Sequence, residues 1–144
     1  GYILHCKNCG NRKTSIEQQQ ECDLCKSKNS VAGPLWIGKI FDKEFVKNMI
    51  EEIPKLNIQE SCKKTIHKCL DETEMPEFYF TLDEIAKRIK KSPPKLEKIL
   101  MNLKEKGFTS SVTAFNPTGF RTNASINEII EIFDLSSKSH TNTV

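Results

Sequence analysis

The chain has 144 residues, 37% hydrophobic and 28% charged, with a formal net charge of +3. That length allows one full domain or two small ones. No apolar run is long enough to span a membrane, and no charged-then-apolar leader precedes the first cysteine motif. The first residue is Gly1 and not Met, which points to a fragment or a processed chain.

The first element is set by four cysteines, Cys6-Lys7-Asn8-Cys9 and Cys22-Asp23-Leu24-Cys25. Two intervening residues allow a tight turn that aims both thiolates of a pair at one ion, and two such turns supply the tetrahedral sulfur set of structural zinc. In a reducing compartment paired CxxC motifs indicate metal more often than disulfides. The spacing predicts a zinc-ribbon-like module over residues 1–32, holding Zn2+ through Cys6, Cys9, Cys22 and Cys25, with Gly10 supplying the first tight turn. Such a closed site is structural, and His5 is a poor candidate for a fifth ligand. Gly33-Pro34-Leu35-Trp36-Ile37-Gly38 forms a junction over 33–40, whose lone Trp36 is expected to pack as core between modules.

Asp42 is expected to cap a helix running to about Ile53, with Phe45, Met49, Ile50 and Ile53 on one face. A second helix is expected over about Ile58 to Leu70. It carries Cys62 and Cys69 two turns apart, roughly 10 Å, too far for one ion, and both read as reduced core thiols. Thr81 with Glu84 forms a capping box for a helix whose stripe is Leu82, Ile85 and Ile89. Ser92-Pro93-Pro94 breaks and restarts the chain, Ser92 capping a helix with Leu96, Ile99, Leu100 and Leu103 at helical spacing and Gly107 closing it. A hairpin follows around Asn116-Pro117-Thr118-Gly119, with the signature of a type I turn. Ser125 and Glu128 form another capping box, leading into Ile126, Ile129, Ile130 and Phe133. From about residue 135 the sequence reads as a disordered polar tail to residue 144.

The expected fold class is therefore α+β, a four-cysteine module followed by a helical and winged-helix-like domain over 41–134. Helix, break, helix and hairpin over 81–123 is the order of a winged helix-turn-helix. Charge supports an anionic partner. Residues 1–40 carry six basic and three acidic groups, residues 41–80 six and nine, residues 81–123 nine and four. The candidate nucleic-acid contacts are Lys87, Arg88, Lys91, Lys95, Lys98 and Arg121, with Lys90 and Asn102 nearby. No glycine-rich nucleotide fingerprint and no Ser–His pair is present, and His5, His67 and His140 are scattered, so no catalytic residue is assigned. A DNA-binding transcription regulator and a structural packing module both remain compatible with ribbon and wing.

Cys-x-x-Cys-Gly, the later Cys-x-x-Cys and Gly33-Pro34-Leu35-Trp36-x-Gly38 resemble the C-terminal region of the tRNA (guanine(26)-N2)-dimethyltransferase family. So do Phe41-Asp42 and Thr113-x-Phe115-Asn116-Pro117-Thr118-Gly119-Phe120-Arg121-Thr122-Asn123-Ala124. The resemblance covers nearly all of residues 1–134. It implies a role in holding tRNA for an S-adenosylmethionine-dependent methyltransferase that methylates a guanosine amino group once or twice. The methyl donor and the chemistry then belong to an N-terminal Rossmann-like domain with no counterpart here, and this chain alone is expected to be inactive. The family expectation at Ala114 is His, and at Arg121 Lys. Arg121 keeps the charge and is expected to suit a phosphate contact. The Gly-Pro-Leu-Trp-x-Gly junction favours this reading over a generic regulator. The expected location is the cytoplasm, or the nucleus or mitochondrion of a eukaryote, with no membrane association.

Overall fold

A computed structural model describes residues 1–138; of the tail expected over 135–144, residues 139–144 lie outside the described residues. Strands β1 (Tyr2–Cys6), β2 (Arg12–Ser15) and β3 (Asn29–Ala32) form an antiparallel sheet in the order β2-β1-β3. Each CxxC turn closes on a backbone bond, Gly10 N to Cys6 O at 2.8 Å and Lys26 N to Cys22 O at 2.9 Å. Both closing residues have positive φ, 84° at Gly10 and 62° at Lys26. Glycine adopts that backbone freely, while Lys26 holds it against a steric cost.

Helix α1 (Lys43–Glu52) begins where expected: the Asp42 side chain accepts from Phe45 N at 2.8 Å, a cap that contributes about 1 kcal/mol. A 3-10 turn at Ile53–Lys55 contains Pro54 and leads to α2 (Glu60–Asp71). These two helices pack on each other but bury little. Val46 and Ile53 are covered, whereas Phe45 is 65% and Met49 40% exposed, and α2 has no buried residue. Of the face expected at Phe45, Met49, Ile50 and Ile53, Ile53 is buried while Phe45 and Met49 stay largely open. Cys62 is exposed rather than a core thiol, and Cys69 is half-buried.

The main core belongs to the second half. Strand β4 (Phe80–Thr81), α3 (Leu82–Ile89), α4 (Leu96–Glu105), β5 (Ser110–Val112), β6 (Gly119–Thr122) and α5 (Ile126–Lys138) surround Ile85, Ile99, Leu103, Phe120, Ile129 and Phe133. The sheet order is β4-β6-β5, all antiparallel. Gly119 N donates to Asn116 O at 3.0 Å, closing the expected turn. Glycine is needed there for a second reason: a Cβ would lie 2.5 Å from Thr113 Cγ2. The Thr81 and Ser125 caps form as expected. Helix α4, however, starts after both prolines with Lys95 at its N-cap and no side-chain cap, so Ser92 does not serve. The chain does not leave the core at residue 135. Helix α5 continues to Lys138, and Ser136 is fully buried, accepting from Asn102 Nδ2 at 2.7 Å and donating to Ile132 O at 2.7 Å. A small hydroxyl whose hydrogen bonds are met can be buried at little cost.

One polar cluster ties the two helical layers together. Glu72, just past α2, and Arg121 on β6 form an ion pair with side chains 0% and 2% exposed. Glu72 also accepts from Thr113 Oγ1 at 2.7 Å and Ala114 N at 2.6 Å, and Arg121 donates to Pro76 O at 2.6 Å. The Arg121 guanidinium lies 5.7 Å from the Phe115 ring centre and 5.8 Å from that of Tyr79. The expected phosphate contact at Arg121 is thus corrected: its charge is matched by Glu72 inside the fold. The ribbon is joined to this body by two further arginines. Arg12 pairs with Glu84 at 3.0 Å, donates to Tyr79 O and stacks over Phe80 at 5.0 Å. Arg88 donates to the Asn8 and Lys7 carbonyls of the first CxxC turn.

Removing one partner of a buried pair strands the other charge. Glu72→Ala is therefore expected to cost about 3–5 kcal/mol in urea unfolding, whereas Glu72→Leu with Arg121→Met recovers much of that loss. Arg12→Ala with Arg88→Ala is expected to free the ribbon, seen as faster tryptic cleavage at Lys39 while the helical body melts unchanged.

Candidate metal centre and basic face

The four predicted ligands meet. Cys6 ends β1, Cys9 closes the first turn, and Cys22 and Cys25 span the second, with all four sulfurs within 4.8 Å of one another. Cys6 Sγ lies 3.4 Å from Cys25 Sγ, and Cys9 Sγ 3.7 Å from Cys22 Sγ. A sulfur tetrahedron around zinc, with bonds of about 2.3 Å, has edges of about 3.8 Å. The cluster therefore has the size and donor set of a tetrathiolate site, and all four cysteines are unbridged.

Its surroundings are built for negative sulfur. Asn11 N donates to Cys9 Sγ at 3.5 Å, Asn11 Nδ2 to Cys22 Sγ at 3.8 Å and Asn8 Nδ2 to Cys25 Sγ at 3.6 Å. The Ser27 hydroxyl and amide, then Asn8, bring the Cys25 thiol down to about 5. At Cys22 burial opposes ionisation, but the Cys25 and Leu24 amides outweigh it and lower the pKa. Burial, followed by the neighbouring sulfurs and against the Asn11 amide, pushes Cys9 up to about 12. Four adjacent sulfurs cannot all carry charge alone, and a divalent cation at their centre reverses that conflict. The ribbon also needs such a staple. Among the described residues its buried apolar side chains are Leu4, Cys6 and Cys22, too few to hold a sheet of this size. His5 is half-buried and its pKa is lowered by burial, then by the charges of Arg12, Arg88 and Lys7.

The six predicted nucleic-acid contacts separate. Lys87, Lys91 and Lys95 are exposed around the α3–α4 connection, together with Lys90, which ends α3 in the left-handed conformation at φ 55°. Lys91 pairs with Asp134 at 2.9 Å at the surface. Lys98 is half-buried and donates to Ser136 O at 3.0 Å, so its ammonium is held against α5. Arg88 grips the ribbon, and Arg121 is interior. A Cβ at Gly10 would lie 2.7 Å from Arg88 Nε, so that glycine admits the arginine as well as the turn. Sequence reasoning does not single out Asn8, Asn11 and Ser27 as sulfur partners; their place inside or just after the CxxC turns is the signal that finds them. Trp36 is not interior as expected. It is 76% exposed, with its ring nitrogen donating to Lys39 O at 3.1 Å, because the ribbon meets the body through Arg12 and Arg88 and leaves the junction outside. Among the described residues no helix is long and apolar enough to cross a membrane.

Comparison with known proteins gives these features a family. The model of the N2,N2-dimethylguanosine tRNA methyltransferase family matches residues 1–134. The tRNA (guanine(26)-N(2))-dimethyltransferase of Methanobrevibacter smithii is 37% identical over 97% of this chain and 38% of its own length. The tRNA (guanine(26)-N(2)/guanine(27)-N(2))-dimethyltransferase of Aquifex aeolicus is 32% identical over 91% of this chain and 34% of its own. Among solved structures, Trm1 from Pyrococcus horikoshii in complex with S-adenosyl-L-methionine superposes with a TM-score of 0.72 at 26% identity, covering 92% of this chain and 34% of that one. The chain thus spans about a third of the length of the relatives it matches. By the family match over nearly its whole described length, this chain belongs to the N2,N2-dimethylguanosine tRNA methyltransferase family.

Proposed function

We propose that this chain is the tRNA-holding C-terminal region of a tRNA guanine N2-methyltransferase acting in the cytoplasm. The methyl donor, S-adenosylmethionine, and the transfer step belong to a domain outside these residues, so the chain alone binds tRNA without methylating it. The observation that carries this reading is the cluster of exposed Lys87, Lys90, Lys91 and Lys95 at the α3–α4 connection, in a chain of this family.

The physical role follows from the substrate. A base held in a tRNA helix junction has to leave its stack before its amino group can be methylated, at a cost of a few kcal/mol. Phosphate contacts spread along a basic face offset that cost and fix the position of the RNA without reading its sequence. The strand order β4-β6-β5 with α3 and α4 supports reading this part as a winged helix, α4 being its recognition helix and the turn at Asn116–Gly119 its wing. On that reading residues 1–32 are the ribbon, 33–40 the junction and 41–134 the helical and winged unit. Cys6, Cys9, Cys22 and Cys25 hold Zn2+ as a structural staple, supplying shape and no reaction step. The phosphate contacts narrow to Lys87, Lys91 and Lys95 because Arg88, Lys98 and Arg121 serve the fold.

Elemental analysis is expected to find one equivalent of zinc per chain, and Cys22→Ser to lose it along with the ribbon; under half an equivalent contradicts the staple. Binding of an unmodified tRNA transcript is expected to weaken steeply with salt, and the salt slope to fall by about one for each phosphate-binding lysine that is replaced. Lys87→Glu with Lys95→Glu should reduce affinity without changing the far-ultraviolet circular dichroism. Salt-independent binding, or an unchanged double variant, removes the basic face from the interface.

A further inference from the structure

The face made by α1, α2 and the junction has a different character from the lysine-rich connection. Phe45, Met49 and Ile66 line two adjoining grooves of about 300 and 310 Å3. One runs on to Leu56, and the other to Ile40 and Phe41. Phe41 in turn stacks on Phe115 at 6.2 Å, and Phe115 is 59% exposed. The result is one continuous apolar track from the Asn116 turn, across the start of α1, to the turn after it. Uncovered side chains of this size in a row mark an interface.

The chemistry of the walls selects the partner. The ionised groups lining the two grooves are Glu52 and Asp42, with no Lys or Arg among the lining residues. Residues 41–80 as a whole carry nine acidic and six basic groups. A polyanion is repelled from such a face, whereas an apolar protein surface fits it. The position of the first residue indicates which protein. The Gly1 ammonium donates to Leu35 O at 2.9 Å, and Leu35 N donates to Gly1 O at 2.9 Å. A polypeptide that continues upstream of Gly1 therefore emerges beside Leu35 and Trp36, at the junction that leads into the track. The matched relatives carry about two thirds of their length outside the matched part.

We propose that this track is the docking face for the methyl-donor-binding part of the same polypeptide, which sets that part at a fixed distance from the basic face. The proposal rests on reading this chain as the C-terminal region of its family. It separates the molecule into an RNA side around Lys87 and Lys95 and a protein side around Phe45 and Met49.

Amide hydrogen exchange tests it, on the whole chain alone and on the same chain joined behind the upstream part of the Methanobrevibacter smithii enzyme. In the joined polypeptide the amides of Phe45 to Leu56 are expected to exchange about tenfold more slowly, with α4 unchanged. Phe45→Asp with Met49→Asp, both at exposed positions, should abolish that protection while leaving the circular dichroism intact. Equal exchange in the two polypeptides overturns the proposal. A dimer of the chain alone that the same double variant dissolves overturns it in favour of a second copy. Protection of Phe45 to Leu56 on adding tRNA to the chain alone overturns it in favour of nucleic acid. Failure of the Lys87 and Lys95 variants to weaken tRNA binding bears only on the function proposed above, so the two failures are distinguishable.

Discussion

The buried pair of Glu72 and Arg121 is the constraint on which the remaining geometry depends. Two charges removed from water are tolerated only when their other hydrogen bonds are met, and here they are. Thr113, Ala114 and Arg121 converge on the Glu72 carboxylate, while Arg121 also reaches Pro76 O and lies against Tyr79 and Phe115. The cluster welds the end of α2 to β6, so the lightly packed α1–α2 pair takes a defined position against the core of the second half. It also sets the stem of the Asn116 turn, and with it Phe115. The Phe-Arg-Thr-Asn-Ala stretch is in this light an architectural motif, its arginine suited by a planar donor fork to carboxylate, carbonyl and aromatic faces together.

A second, softer constraint orients the ribbon. Its sheet shares no hydrophobic core with the body, and Arg12 and Arg88 carry the connection through carbonyls, Glu84 and the Phe80 ring. Because Arg88 grips carbonyls inside the first CxxC turn, the geometry that a metal imposes on that turn passes directly to α3. A structural ion held by Cys6, Cys9, Cys22 and Cys25, as proposed above, would thereby act at a distance on the α3–α4 connection. Cations that serve the fold and cations that stay at the surface look alike in a sequence; the carbonyl bonds of Arg88 and Lys98 and the buried ion pair of Arg121 are what separate them here.

Local signals in the chain are legible where one short-range rule governs. The CxxC spacing, the Asp42, Thr81 and Ser125 caps, Gly107 and the Asn116–Gly119 turn all depend on neighbours within a few residues, and all form. Non-local polar pairing is not legible: nothing near Arg121 announces Glu72, 49 residues away, so a buried arginine reads as a surface one. Periodicity also misjudges α1. Phe45 and Met49 stand at core spacing, yet they remain 65% and 40% exposed, and hydrophobic spacing alone does not distinguish a core from an interface. The same holds for Trp36. Serine-rich composition suggests that the chain ends its order at residue 135, but Ser136 satisfies its hydroxyl on Asn102 and Ile132 and keeps α5 intact.

On this reading RNA is held by the α3–α4 connection and not by the apolar face. Amide chemical-shift mapping of the isotope-labelled, zinc-loaded chain during titration with unmodified tRNA distinguishes the two faces directly. Perturbations are expected to concentrate on Lys87 to Lys95 and the start of α4, and to fade as salt rises. Perturbations concentrated on Phe45 to Leu56, or none at saturating tRNA, contradict that assignment.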